Sequence, residues 1–160
     1  MGFNKVVAAI TAPPEANQRR GPQFRNWLKN NFKFAPIDKF KAVSTGVLFL
    51  DASEKETLDF ANKYLNIGIN KRPDFLAKAG REYVIGEAKF LTALGGNQSR
   101  GFEDALKLAT KATGKAFKAF VLDGVIWVSP GSQDYKQIEY TNINVFSALL
   151  LGVFLRNLAR

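Results

Sequence analysis

The dipeptide Gly80-Arg81 constrains this chain more than any other feature, because apolar, strand-forming segments at residues 72–78 and 82–89 flank it. Glycine at the first of two loop positions suits a type II′ turn, whose twist matches that of the strands it joins. A two-residue loop then sets Ala79 against Glu82, and counting back along both strands puts Asp74 opposite Glu87. Opposed residues on paired strands hold their Cβ atoms about 4.5–5.5 Å apart. Residues two apart on one strand share a face, so Lys89 points the same way as Glu87. The hairpin thus gathers two carboxylates and one amine on a single patch.

Two carboxylates at that separation repel, and one is driven toward its protonated form unless a cation bridges them. The apolar run Tyr83-Val84-Ile85-Gly86 gains no stability from such a pair. Magnesium would resolve the conflict, since it prefers oxygen ligands and keeps waters that a phosphate can share. The backbone carbonyl of Ala88, between Glu87 and Lys89, is a natural further ligand. Lys89 could orient an attacking water or stabilise an anionic transition state. The plainer alternative makes Asp74 a strand end and Glu87–Lys89 a solvated surface pair. The aligned register and the basic chain favour the site.

The chain has 160 residues, no cysteine and no histidine, and a net charge of +9. Histidine-based nucleophilic triads and cysteine/histidine zinc sites are therefore excluded. A hydrolase built from this alphabet has to use carboxylates, lysine and hard metals. The charge excess draws the chain to polyanions, nucleic acid foremost. No secretory signal pattern opens the sequence, and the most apolar stretch, residues 145–155, is interrupted by Ser147 and is too short to cross a bilayer. The expectation is a soluble, cytoplasmic protein of prokaryotic intracellular type, with no membrane partner and no nucleotide cofactor.

Along the chain, Thr11 and Pro13-Pro14 open a helical region that Pro22 restarts or kinks, with Phe24, Trp27 and Leu28 as its core stripe. Residues 43–50 read as a strand. Ser53 and Glu56 form a capping-box pattern for a helix to about Leu65. After the hairpin, Gly95-Gly96 leads into a helix over residues 98–113 whose buried stripe is Phe102, Ala105, Leu106 and Ala109. Residues 116–122 and 125–128 read as two strands turned at Asp123-Gly124. Asn142 or Asn144 caps a last helix reaching Asn157, apolar on more than one face, which suits deep burial or a dimer interface. This order predicts one α/β domain over residues 1–160, a mixed β-sheet flanked by helices on both faces. Asn97, Gln98 and Arg100 stand at a helix start, either a phosphate site or an ordinary cap. Lys107, Lys111 and Lys115 form a basic stripe that either contacts DNA backbone or simply solvates, as do Arg19, Arg20 and Arg25.

Pro73-Asp74, a twelve-residue gap and Glu87-Ala88-Lys89 together resemble the motif of PD-(D/E)XK nucleases, and type II restriction endonucleases in particular. The segments 71–75, 85–90, 95–98, 122–125 and 19–24 look like parts of such enzymes, so the resemblance covers most of the chain. It implies a restriction-endonuclease-like core and Mg²⁺-dependent hydrolysis of double-stranded DNA, with Mn²⁺ as a substitute metal. It casts Asp74 and Glu87 as metal ligands, Lys89 as the catalytic lysine and Glu15 as an upstream acid, and it implies a homodimer. A length of 160 residues is lean for a sequence-specific enzyme, which fits a catalytic fragment or a reading surface completed by dimerisation. The rivals are a structure-selective or repair nuclease of the same fold, a catalytically silent DNA-binding module, and a basic structural or RNA-associated protein.

Overall fold

A computed structural model describes residues 20–95, 102–103, 105–106 and 114–160. The elements run α1 (Arg20–Asn31), β1 (Phe34–Ala35), α2 (Ile37–Ala42), β2 (Val47–Leu50), α3 (Glu54–Asp59) with a π turn (Phe60–Tyr64), β3 (Phe75–Ala79) and β4 (Glu82–Leu91). Then follow β5 (Ala116–Gly124), a 3₁₀ turn (Val125–Val128), α4 (Gln133–Glu139), β6 (Asn144–Phe146) and α5 (Ala148–Leu158). The six strands lie in sequence order, β1 to β6. β2, β3 and β4 pair antiparallel, whereas β1–β2, β4–β5 and β5–β6 pair parallel. This is a mixed sheet of the expected α/β class.

Alternation along the central strands divides the core. Phe75, Ala77, Ala79, Val84, Ala119 and Val121 face Leu28 of α1 and Leu151 and Leu155 of α5. On the other face, Leu76 and Ile85 pack with Phe60, Leu65 and Ile67, while Leu91, Phe120 and Leu122 pack with Phe102, Ala105 and Ile126. Helices therefore cover both surfaces, as the order of elements predicts. Phe24 and Trp27 stack at 5.9 Å and pack on the first cluster, so they are core groups.

The hairpin forms as its turn dictates. Gly80 has φ +60° while Arg81 stays out of the left-handed region, the combination a type II′ turn requires. Ala79 pairs with Glu82 and Phe75 with Gly86. The Phe75 ring lies over the Gly86 Cα, where any Cβ would collide with it. Gly86→Ala is accordingly expected to lower stability by about 1–3 kcal/mol, the usual effect of overpacking. Urea melts read this, and an unchanged midpoint would mean that the ring can move aside freely.

Elsewhere the structure departs from the sequence reading. The strand expected over residues 43–50 begins only at Val47, and α2 and β1 precede it. The Ser53–Glu56 capping box is present, but the helix beyond Asp59 widens into a π turn before ending at Leu65. Residues 125–128 form a 3₁₀ turn rather than a hairpin partner. Asp123 does not close a turn because its carboxylate accepts the Ala148 N–H (3.0 Å) at the start of α5. Gly124, at φ +104°, packs against the Leu91 backbone and leads the chain out of the sheet. Ser147 caps α5, not Asn142 or Asn144. Of the stripe expected in residues 98–113, Phe102 and Ala105 are buried and Leu106 packs beside them, while Ala109 lies outside the described residues. No helix among the described residues is long and apolar enough to cross a membrane.

Candidate active site

Pro73 cannot donate to a ladder, and β3 begins only at Phe75. One step before that strand, the Asp74 carboxylate takes over the ladder's role, its Oδ2 accepting the Ala88 N–H at 2.8 Å. Extending the observed register by one pair sets Asp74 across from Glu87. Both then project on the face that carries Leu76 and Ile85, and Lys89 projects there as well. In an antiparallel pair a residue's N–H and C=O leave the strand on the same side. The Ala88 carbonyl therefore opens toward Asp74.

Glu87 sits at the seam between the two apolar clusters of that face, between Ile85 and Leu91 along β4, and is only 3% exposed. Neither of its carboxylate oxygens has a hydrogen-bond partner. Burial is the main force on its acidity and the Asp74 charge the second, and together they push its pKa up to about 7. Lys71 and then Lys89 pull the other way, and the Asp74 N–H helps the anion least, lying outside full hydrogen-bond geometry. A buried, unpartnered carboxylate beside a second acid needs a proton or a cation. With two acidic side chains, a backbone carbonyl and open access through exposed Asp74, the donor chemistry fits a hard divalent ion. Among the described residues no third acidic side chain joins the cluster.

Other residues singled out in the sequence fare differently. Arg25 is half-buried and lines a pocket with Arg72 and Asp74, a pocket that Glu87 and Lys89 do not line. Lys115 is exposed just before β5, whose Ala116 pairs with Tyr83, whereas Glu87 pairs with Phe120. Five residues of strand, roughly 16 Å, keep it from the acids. Glu15, Arg19, Asn97, Gln98, Arg100, Lys107 and Lys111 lie outside the described residues, as does the side chain of Arg20. The sequence reading placed Lys71 and Arg72 in a family-like segment but assigned neither a role at the site. Their place immediately before Pro73-Asp74 was the available signal, because residues that close to Asp74 cannot lie far from the paired acids.

Comparison with curated proteins gives no significant match. Comparison with solved structures gives none either. The family model for the Tsp45I type II restriction enzyme matches residues 1–158, nearly the whole chain. The mixed sheet and its helical layers agree with the restriction-endonuclease-like fold expected of such an enzyme. By that match, which takes in the paired acids and the lysine on β4, the chain belongs to the Tsp45I type II restriction enzyme family.

Proposed function

We propose that this protein is a Mg²⁺-dependent, sequence-specific endonuclease that hydrolyses phosphodiester bonds of double-stranded DNA, with residues 1–160 acting as a single nuclease domain in the cytoplasm. The observation that carries the reading is the buried, unpartnered Glu87 carboxylate held beside Asp74 in a chain of this family. Asp74, Glu87 and the Ala88 carbonyl would hold the metal, and Mn²⁺ offers the same preference for oxygen. When bound, the ion supplies polarisation of the phosphate and neutralisation of developing negative charge. Asp74 is positioned by its hydrogen bond to Ala88, so one of its oxygens is fixed before any ligand arrives. Lys89, on the same face as Glu87, orients the attacking water and offsets charge on the phosphorane-like transition state. Arg25 adds a cation at the same end of the sheet. Leu149, Leu150 and Val153 stand exposed along α5, an apolar surface that supports pairing of two copies.

Digestion of a sequenced plasmid with Mg²⁺, with EDTA as control, tests the reading. Discrete fragments with mapped, recurring ends are expected. Cutting confined to junctions or flaps would favour a structure-selective nuclease, and binding with no scission in any divalent metal would leave only a DNA-binding module. Lys89→Ala is expected to reduce turnover by about 10²–10³-fold, the scale of losing one preorganised electrostatic partner. Its affinity for duplex DNA should change by less than about threefold, since one cation among many phosphate contacts carries little of the total. Single-turnover cleavage and a binding titration separate the two effects.

A further inference from the structure

The segment entering β3 is clamped at both ends. Asn62, in the π turn, donates its Nδ2 to the Ile69 carbonyl (2.6 Å) and accepts the Ile69 N–H at Oδ1 (2.9 Å). Its amide thus serves Ile69 as a neighbouring strand would, and π turns of this kind recur at functional sites. Ile69 and Pro73 are buried, and Asp74 is tied to Ala88. Between these anchors Lys71 is exposed and Arg72 is half-buried, and Arg72 lines the pocket that Arg25, Thr57 and Asp74 share.

Among the described residues no carboxylate lies within ion-pair distance of these cations. Among the described residues the ion pairs are Lys29–Asp51 and Lys63–Asp59, and neither involves Arg25, Lys71 or Arg72. Lys71 nonetheless acts on the Glu87 anion more strongly than Lys89 does, so its charge reaches the site. Cations on a segment anchored by hydrogen bonds at both ends, with no ion pair among the described residues and next to a pair of acids, match a ligand with several negative charges in a row. A polynucleotide backbone is such a ligand. Holding the cations in place beforehand also reduces the ordering that binding would otherwise require.

We propose that Lys71 and Arg72, positioned by the Asn62 clamp, seat the DNA phosphate adjoining the scissile one. The inference rests on the nuclease reading and identifies which of its groups grip the strand. Fluorescence anisotropy of a labelled 20-base-pair duplex, across a salt series with Ca²⁺ in place of Mg²⁺, tests it. Each of Lys71→Ala and Arg72→Ala should reduce the slope of log K against log salt by about 0.9, and the double variant by about twice that. Asn62→Ala should also flatten the slope although it removes no charge, with circular dichroism confirming that it folds. If that variant does not fold, the Lys71 and Arg72 substitutions carry the test. An unchanged slope in the double variant overturns the proposal. Failure of the nuclease reading shows separately, as wild-type protein that binds duplex in Ca²⁺ but never cuts plasmid in Mg²⁺. Wild type that does not bind duplex at all overturns both.

Discussion

Asp74→Ala and Glu87→Ala are each expected to cut the rate of duplex cleavage at saturating Mg²⁺ by at least about a thousandfold, at the upper end of what losing a single electrostatic partner does. The two substitutions act differently. Removing Asp74 deletes the exposed carboxylate and also frees the Ala88 N–H, so the backbone beside the paired acids loses its anchor. Removing Glu87 deletes the buried carboxylate and leaves a cavity between apolar clusters. Affinity for duplex in Ca²⁺ should persist within about tenfold in both, because phosphate contacts supply most of the binding. Full cleavage by the double variant would remove the assignment of these acids.

The second large effect concerns stability in the absence of metal. Glu87 has a pKa of about 7 in the folded protein against the ordinary 4.5. The folded state therefore keeps its proton while the unfolded chain releases it, between pH 4.5 and 7. Stability attributable to this proton is fully present below pH 4.5, declines as pH rises, and is gone above about 7. The difference is on the order of 3 kcal/mol. In EDTA, wild type should thus lose stability relative to Glu87→Gln between pH 5 and pH 8. Adding Mg²⁺ at pH 8 should restore much of the loss to wild type and little to the variant, since a ligand of the native state stabilises it. Denaturant melts at the two pH values suffice, and a pH-independent difference between the proteins would refute the account.

The parts of the fold that sequence disclosed were those governed by local chemistry. Gly80 fixed a turn, the turn fixed a register, and that register, carried one pair beyond Phe75–Gly86, sets Asp74 across from Glu87. Ser53 and Glu56 announced a cap for the same reason, since both partners lie within one turn of helix. Misreadings arose where a distant segment outbid local preference. Asp123-Gly124 has the composition of a hairpin turn, yet the Asp123 carboxylate is taken by Ala148, twenty-five positions on. β5 also pairs in parallel with β6, and no periodicity in residues 116–128 encodes that pairing. At the site, the facing acids were legible, but the burial of Glu87 was not. Its seclusion depends on neighbours from another part of the chain, such as Phe120, its partner on β5. Lys71 and Arg72 stood in a family-like segment but drew no role, because loop cations are ordinarily solvated, and the Asn62 clamp is what distinguishes these.

The type II′ turn has a kinetic corollary. Hairpins zip within microseconds, long before contacts distant in sequence are made. Asp74 and Glu87 should consequently meet while the nascent ribbon is still wet, where water screens their repulsion. The electrostatic penalty falls due later, when the flanking layers dock and expel solvent. A proton or a dication captured at that moment would ease the final collapse, which makes the last folding step, rather than the first, the one sensitive to pH and to metal.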